Sequence, residues 1–332
     1  MDNLTHTLTG VMLSRAGLER FTPRATWILL LAVNAPDMDI VSALGGSLNY
    51  LHYHRNVTHS LILLPVLPLV CVLLVRFVFR QPLHWAGAYF VGFIGVISHL
   101  VLDLTNIYGV RLFAPFSGRW IHWDITSVID FWIWGVLLIA LLAPLLARLV
   151  NAEIGARAPA HGGASRGFAI AALGLVALYD GGRAVMHSRA LSTLDSRIYG
   201  GSAPSRVAAF PEAASIFRWR GLAETPEAVS ILTIDVREPF DPSAGPVYYK
   251  PEPSPALEVA RTTPVFQEFL RFSQYPFWQL MPAGHIENAT RVEALDLRFG
   301  DPQTPSFVAT AIVNAQLQVV RAWFQFGRAA PR

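Results

Sequence analysis

The residues able to do chemistry gather in the first 130 positions, and they are histidines and aspartates. They are His6, then Asp37 and Asp39 in the run NAPDMD, then His54 and His59 in HRNVTH. His99 and Asp103 follow in HLVLD, and His122 and Asp124 in WIHWD. Most lie in or beside apolar stretches, where each ionisable group costs roughly 2.5–3.5 kcal/mol on insertion scales. No lysine stands near them, because Lys250 is the only one in the chain. A divalent cation would offset that cost.

The spacings suit ligation. His99 and Asp103 are four apart and share one helical face. Asp37 and Asp39 follow Pro36, whose helix break lets the chain turn two carboxylates toward one point. His54 and His59 suit a loop and the start of the next helix. A His/Asp shell without cysteine fits zinc first, with manganese or iron as alternatives, and favours a catalytic over a closed structural site. Seven donors (His6, Asp37, Asp39, His54, His59, His99 and Asp103) oversupply one ion, so one or two divalent ions are expected. Ion pairs of this kind polarise phosphoryl or acyl oxygens and activate water. His122 and Asp124 are assigned to general acid–base work or to an extra ligand position.

Plainer roles compete at each position. His99 and Asp103 would also serve as an interhelical hydrogen bond, Asp37 and Asp39 as a solvated helix end, and His6 and His54 as interfacial anchors. Trp120 and Trp123 around His122 and Asp124 also suit an aromatic belt. His84 reads as structural, and His161, His187 and His285 as solvated. Arg55, Arg111 and Arg119 could bind an anionic group such as phosphate, but read first as exposed side chains that water satisfies. Arg218 and Arg220, flanking Trp219, read as packing or headgroup contacts.

The elements that position these residues are apolar. The chain has 332 residues, 53% hydrophobic and only 15% charged. Soluble domains carry roughly 25% charged residues, so the deficit points to lipid. Spans of roughly 20 apolar residues are expected over Ser60–Phe79, Trp85–Leu104, Val128–Leu149, Phe168–Met186 and Trp27–Leu44. Leu4–Leu18 is a shorter helix with Asp2 or Asn3 as its cap, giving five to six helices in all. The segment 151–167 is a Gly/Ala/Pro-rich loop. Beyond it, alternating apolar and polar residues in Ser230–Arg237, Leu295–Phe299 and Ser306–Phe326 read as strands, and Thr263 caps an amphipathic helix. The expected architecture is therefore a polytopic α-helical membrane domain over 1–189, followed by a small α+β soluble domain over 190–332.

Arginine placement orients the helices by the positive-inside rule. Arg15, Arg20 and Arg24, then Arg76 and Arg80, then Arg148, Arg157 and Arg166 mark alternate loops as cytoplasmic. All seven candidate donors then reach the outer face, with the C-terminal domain on the same side. The N-terminal run has no basic region followed by an apolar core and a small-residue cleavage site, so a cleaved signal peptide is not expected. Net charge is +3 with no Lys/Arg stripe, which argues against nucleic acid as a partner. The lone Cys71 rules out a cysteine-based zinc site, and no His-Glu-x-x-His run occurs for an intramembrane metalloprotease.

Four motifs taken together, D-x-x-T-H at Asp2–His6, P-D-M-D at Pro36–Asp39, H-R-x-x-T-H-S at His54–Ser60 and H-x-x-x-D at His99–Asp103, resemble the YdjM-type membrane-bound metal-dependent hydrolases. Asn56 stands where that family often has glycine. The likeness covers residues 1–130, and Phe217–Arg220 (FRWR) is similar to the extended members. What the resemblance implies is a multi-pass bacterial inner-membrane protein with hydrolase chemistry. A site at the membrane interface suggests a lipid or other membrane-associated substrate. The alternative is a non-catalytic scaffold, stapled by metal, whose outer domain binds a partner. An ion transporter ranks last, because few polar groups continue toward the other face.

Overall fold

The computed structural model describes residues 1–153, 163–284 and 286–327. His161 and His285 therefore lie outside the described residues. The chain divides into two compact units that interleave along the sequence. Unit 1 holds Met1–Met38, Arg55–Ser188 and Pro211–Phe217, and unit 2 holds Asp39–His54, Arg189–Phe210 and Arg218–Arg332. A single cut near residue 189 does not describe this, because 39–54 go with the C-terminal unit and 211–217 with the helical one.

Unit 1 is built on helices α1 (Asn3–Ala16), α2 (Ala25–Ala32), α4 (Val66–Phe79), α5 (Trp85–Thr105), α6 (Phe131–Glu153) and α7 (Gly163–Asp195), the last running on into unit 2. Among the described residues three helices are long and apolar enough to cross a membrane: α5, Phe131–Asn151 of α6 and Ser165–Asp195 of α7. A fourth crossing arises if α2 and the 3-10 run Pro36–Gly45, bent by 46° at their junction, form one broken span. Of the five to six helices expected, three to four among the described residues meet the length for a crossing. Leu4–Leu18 becomes α1, and Ser60–Phe79 becomes α4, and each helix has only 14 residues. At 1.5 Å per residue such a helix is about 21 Å long, against a hydrocarbon core of about 30 Å. The late start of α4 follows from Pro65, which disfavours helical backbone at Leu64 and stands just before the first turn.

Caps and small residues explain how these helices meet. Asp2 caps α1 by accepting from the amides of Leu4 and Thr5 at 3.0 and 3.1 Å. Trp134 Nε1, near the start of α6, donates to the same carboxylate at 3.2 Å, so α1 and α6 begin side by side. Between α2 and α5 the contact depends on small residues, as is usual in membranes. A Cβ at Gly95 would stand 2.8 Å from the Ala32 Cβ, and, where α1 meets the end of α2, one at Gly10 would stand 2.9 Å from Val33.

Unit 2 contains two antiparallel sheets, β1–β4 (Arg206–Pro211, Arg218–Glu224, Ala228–Asp235, Val247–Tyr249) and β5–β8 (Pro276–Pro282, Thr290–Asp296, Phe307–Val313, Val319–Phe326), each in sequential order. Helices α8 (Pro255–Arg261) and α9 (Pro264–Phe272) pack on the second sheet. Thr263 caps α9, whose Phe266, Phe269 and Phe272 are all buried. Leu295–Phe299, expected as strand, is split between the end of β6 and a 3-10 turn. The short α3 (Ser47–Tyr53) belongs here too: Ser47 Oγ donates to the Phe324 carbonyl at 2.8 Å, and His52 pairs with Glu268 at 2.7 Å.

Candidate metal centre

Asp37, His59, His99 and Asp103 bring one ligand atom each into a single buried group within unit 1. The backbone accounts for each placement. Helix α2 stops at Ala32, ahead of Pro36, so its last carbonyls lack intrahelical partners. One of them, Val33 O, lies 2.8 Å from His99 Nδ1. Gly95, one turn before His99, is what lets α5 come that close to α2. Asp37 sits just past Pro36 in the 3-10 run, and Asp103 stands one turn beyond His99 on the same face of α5. His59 closes a short 3-10 turn (Val57–His59), and its Nδ1 is 3.0 Å from Thr58 Oγ1.

The distances between donor atoms carry the chemistry. His59 Nε2 lies 3.1 Å from His99 Nε2, 3.3 Å from Asp37 Oδ1 and 3.3 Å from Asp103 Oδ2. His99 Nε2 lies 3.2 Å from Asp103 Oδ2 and 3.8 Å from Asp37 Oδ1. The Val33 carbonyl only accepts, so His99 carries its proton on Nδ1 and points a lone pair at the group. One proton on His59 Nε2 cannot satisfy three acceptors at once. Asp37 Oδ1 and Asp103 Oδ2 are accordingly buried without a hydrogen bond. A tetrahedral ion with bonds of roughly 2.0–2.1 Å has ligand–ligand edges of about 3.3 Å. The residues present fit a single divalent ion in both donor type and spacing.

Around this group lies a second layer. His6 stacks on His99, with ring centroids 3.9 Å apart, and its Nε2 is 3.4 Å from Asp103 Oδ1. Both His6 ring nitrogens are buried without hydrogen bonds. That same Asp103 oxygen meets Arg55 Nη2 at 3.0 Å and Asn106 Nδ2 at 3.3 Å, and the Met1 backbone nitrogen lies against it. Asp103 is thus divided, with Oδ2 facing the donors and Oδ1 held by cationic and amide groups.

Comparison with known proteins agrees with the helical unit. Residues 1–190 match the YdjM inner membrane protein family over more than half of the chain. The chain belongs to the YdjM family. This YdjM protein also carries, over residues 255–326, a match to the YfhP C-terminal α/β plait domain, which corresponds to α8 through β8. It is similar to YfhP of Bacillus subtilis (strain 168), 26% identical over 140 residues, a stretch covering 39% of this chain and 42% of that relative. The matched stretch is thus less than half of either protein. No solved structure matches it.

The other sequence candidates of the YdjM chain are not among these four donors. Asp39 and His54 belong to unit 2, where they pair with each other at 2.7 Å. His122 and Asp124 lie on the segment whose amides bond the end of α5, with Trp123 N donating to Leu104 O at 2.8 Å. His122 Nδ1 and Asp124 Oδ1 are 2.8 Å apart, and among the described residues neither joins the donor group. Gly109 links that segment to the site: its φ is +75° and a Cβ would stand 2.9 Å from the His122 Cβ, while its carbonyl accepts from Arg55 Nη1 at 3.4 Å.

Arg55 is the functional residue the sequence reading missed, together with its partner Asn106. Read as solvated, Arg55 is only 3% exposed and lies 4.8 Å from the Tyr108 ring centre. Arg111 is likewise buried, against Trp120. The available signal for Arg55 was its place inside the His54–His59 motif. His187, also read as solvated, is half-buried on α7. Arg220 proves structural, donating to the backbone carbonyls of Leu297, Arg298 and Gly300.

Proposed function

We propose that this YdjM protein is a membrane-embedded, metal-dependent hydrolase holding one divalent ion, zinc first, on Asp37, His59, His99 and Asp103. The observation that carries the reading is the set of buried donor edges of 3.1–3.8 Å, which one shared proton cannot satisfy. When bound, such an ion supplies Lewis acidity toward ester or phosphoester oxygens and activates water. The chain's own residues do the rest. Val33 O and Thr58 Oγ1 orient the two imidazoles, and outer partners of this kind tune affinity. Arg55 and Asn106 hold the second oxygen of Asp103 and keep a second ion from sharing it. Asp124 fixes His122 through Nδ1, leaving Nε2 to exchange a proton with substrate. The donors include His99 and Asp103 in the last two turns of α5, and a lipid or other membrane-associated substrate is proposed from that position near a helix end; the outer face is the side proposed from the arginine pattern.

A scaffold role has one observation in its favour, since all four donors come from the protein and all are buried. Hydrolysis assays separate the two readings. Detergent-purified protein, metal-loaded or chelator-stripped, is offered fluorogenic phosphodiester and acyl-ester lipids. Turnover that disappears on stripping and returns with zinc supports the hydrolase. Stoichiometric metal that raises thermal stability, with no turnover of either lipid class, supports the scaffold.

A further inference from the structure

A second polar site lies far from the donor group, and neither the metal chemistry nor the family match uses it. Arg15 of α1, Glu19, Arg148 at the end of α6, and Ser165 and Arg166 at the start of α7 line one cavity of about 230 Å³, floored by Pro144 and Leu145. Three helices thus deliver three guanidinium groups and a hydroxyl to one space, against a single lining carboxylate.

Its position in the fold is set by the helices. Helices α1 and α6 start together, where Asp2 meets Trp134, and that is the end carrying His6 and the donor group. Arg148 lies fourteen residues beyond Trp134, about 21 Å along the helix. The cavity therefore sits toward the opposite ends of these helices from the donor group. Its depth is set as well: Arg148 falls in the last turn of the span Phe131–Asn151, and Ser165 and Arg166 open the span Ser165–Asp195. This is the level of lipid headgroups.

Two of the guanidiniums are held in place by backbone carbonyls. Arg15 Nη1 donates to Leu141 O at 3.3 Å, and Arg166 Nε donates to Ala16 O at 3.1 Å. The acceptor, Ala16, is followed by Gly17, whose φ of +135° ends α1 beside the Arg166 guanidinium. Both arginines are fixed by carbonyls, which orient a guanidinium and leave its charge intact. Among the described residues no carboxylate forms an ion pair with Arg15, Arg148 or Arg166. Planar forks converging on one space are matched by phosphate oxygens. Basic pockets between membrane helices take anionic headgroups in this way.

We propose that this cavity binds the phosphate of an anionic phospholipid, with the lipid's chains lying along the α6–α7 surface. The test uses the full chain in neutral detergent, with binding of short-chain phosphatidylglycerol read by native mass spectrometry and thermal shift. Phosphatidylcholine and inorganic phosphate are the parallel probes. Phosphatidylglycerol should bind and stabilise, and phosphatidylcholine should not. The double variant Arg148→Gln/Arg166→Gln should weaken phosphatidylglycerol binding by about tenfold or more, given the free energy each basic residue contributes near an anionic membrane. A paired variant outside the cavity, Arg76→Gln/Arg80→Gln, should leave it unchanged, and circular dichroism should show both variants folded. Equal losses in both double variants, or none in either, would overturn the site. Inorganic phosphate stabilising as strongly as phosphatidylglycerol would overturn the lipid and assign a free anion instead.

Discussion

At the scale of residues, the site rests on a few orienting contacts, and each makes a prediction. Thr58→Val removes the partner of His59 Nδ1 while keeping side-chain volume. Outer-shell losses of this kind lower metal affinity by about 10- to 100-fold, which a competitive chelator titration would read. Arg55→Met leaves Asp103 Oδ1 without its guanidinium. Breaking a buried pair from one side costs about 3–5 kcal/mol, and the loss should appear as a lower melting temperature in detergent. The histidines and aspartates were legible because apolar surroundings make any ionisable group conspicuous. Arg55 was not, because exposed arginines are common and sequence does not reveal that Tyr108 and Asn106 enclose this one. Spacing could not separate Asp39 and His54 from the donor group either. They lie two and five residues from Asp37 and His59, are grouped in unit 2, and pair with each other.

At the scale of elements, the site depends on how closely α5 approaches α2. Gly95 faces the Ala32 Cβ, and the next turn of α5 carries His99 to the Val33 carbonyl. Gly95→Leu should force the helices apart, costing about 1–3 kcal/mol as overpacking, and metal content should fall although no ligand has changed. Retention of full metal by a folded Gly95→Leu protein would contradict this account of helix placement. The long apolar runs marked α5, α6 and α7 directly in the sequence. Helix ends were harder to read, since Pro65 shortens α4 and the bend at Pro36 divides Trp27–Leu44. Strands β3, β7 and β8 showed through alternation. Helix α3 did not show, because a seven-residue helix carries too little periodicity and its place in unit 2 is decided by distant partners such as Phe324 and Glu268.

At the scale of the whole molecule, metal and stability should be coupled in one unit only. All four donors belong to unit 1, so an ion bound there stabilises that unit by mass action, about 2.7 kcal/mol at a hundredfold excess over the dissociation constant. Chelation should lower the melting transition seen by helical circular dichroism and leave hydrogen exchange in the β5–β8 sheet unchanged. Equal destabilisation of both units would mean that the ion binds elsewhere or that the units melt as one. The central claim, one ion held by Asp37, His59, His99 and Asp103, is tested most directly by elemental analysis of detergent-purified protein prepared without chelator. The account predicts one divalent ion per chain in the wild type and in His122→Ala, and none in His99→Ala or Asp103→Ala. A metal-free wild type, or a folded His99→Ala protein with its metal intact, would contradict it.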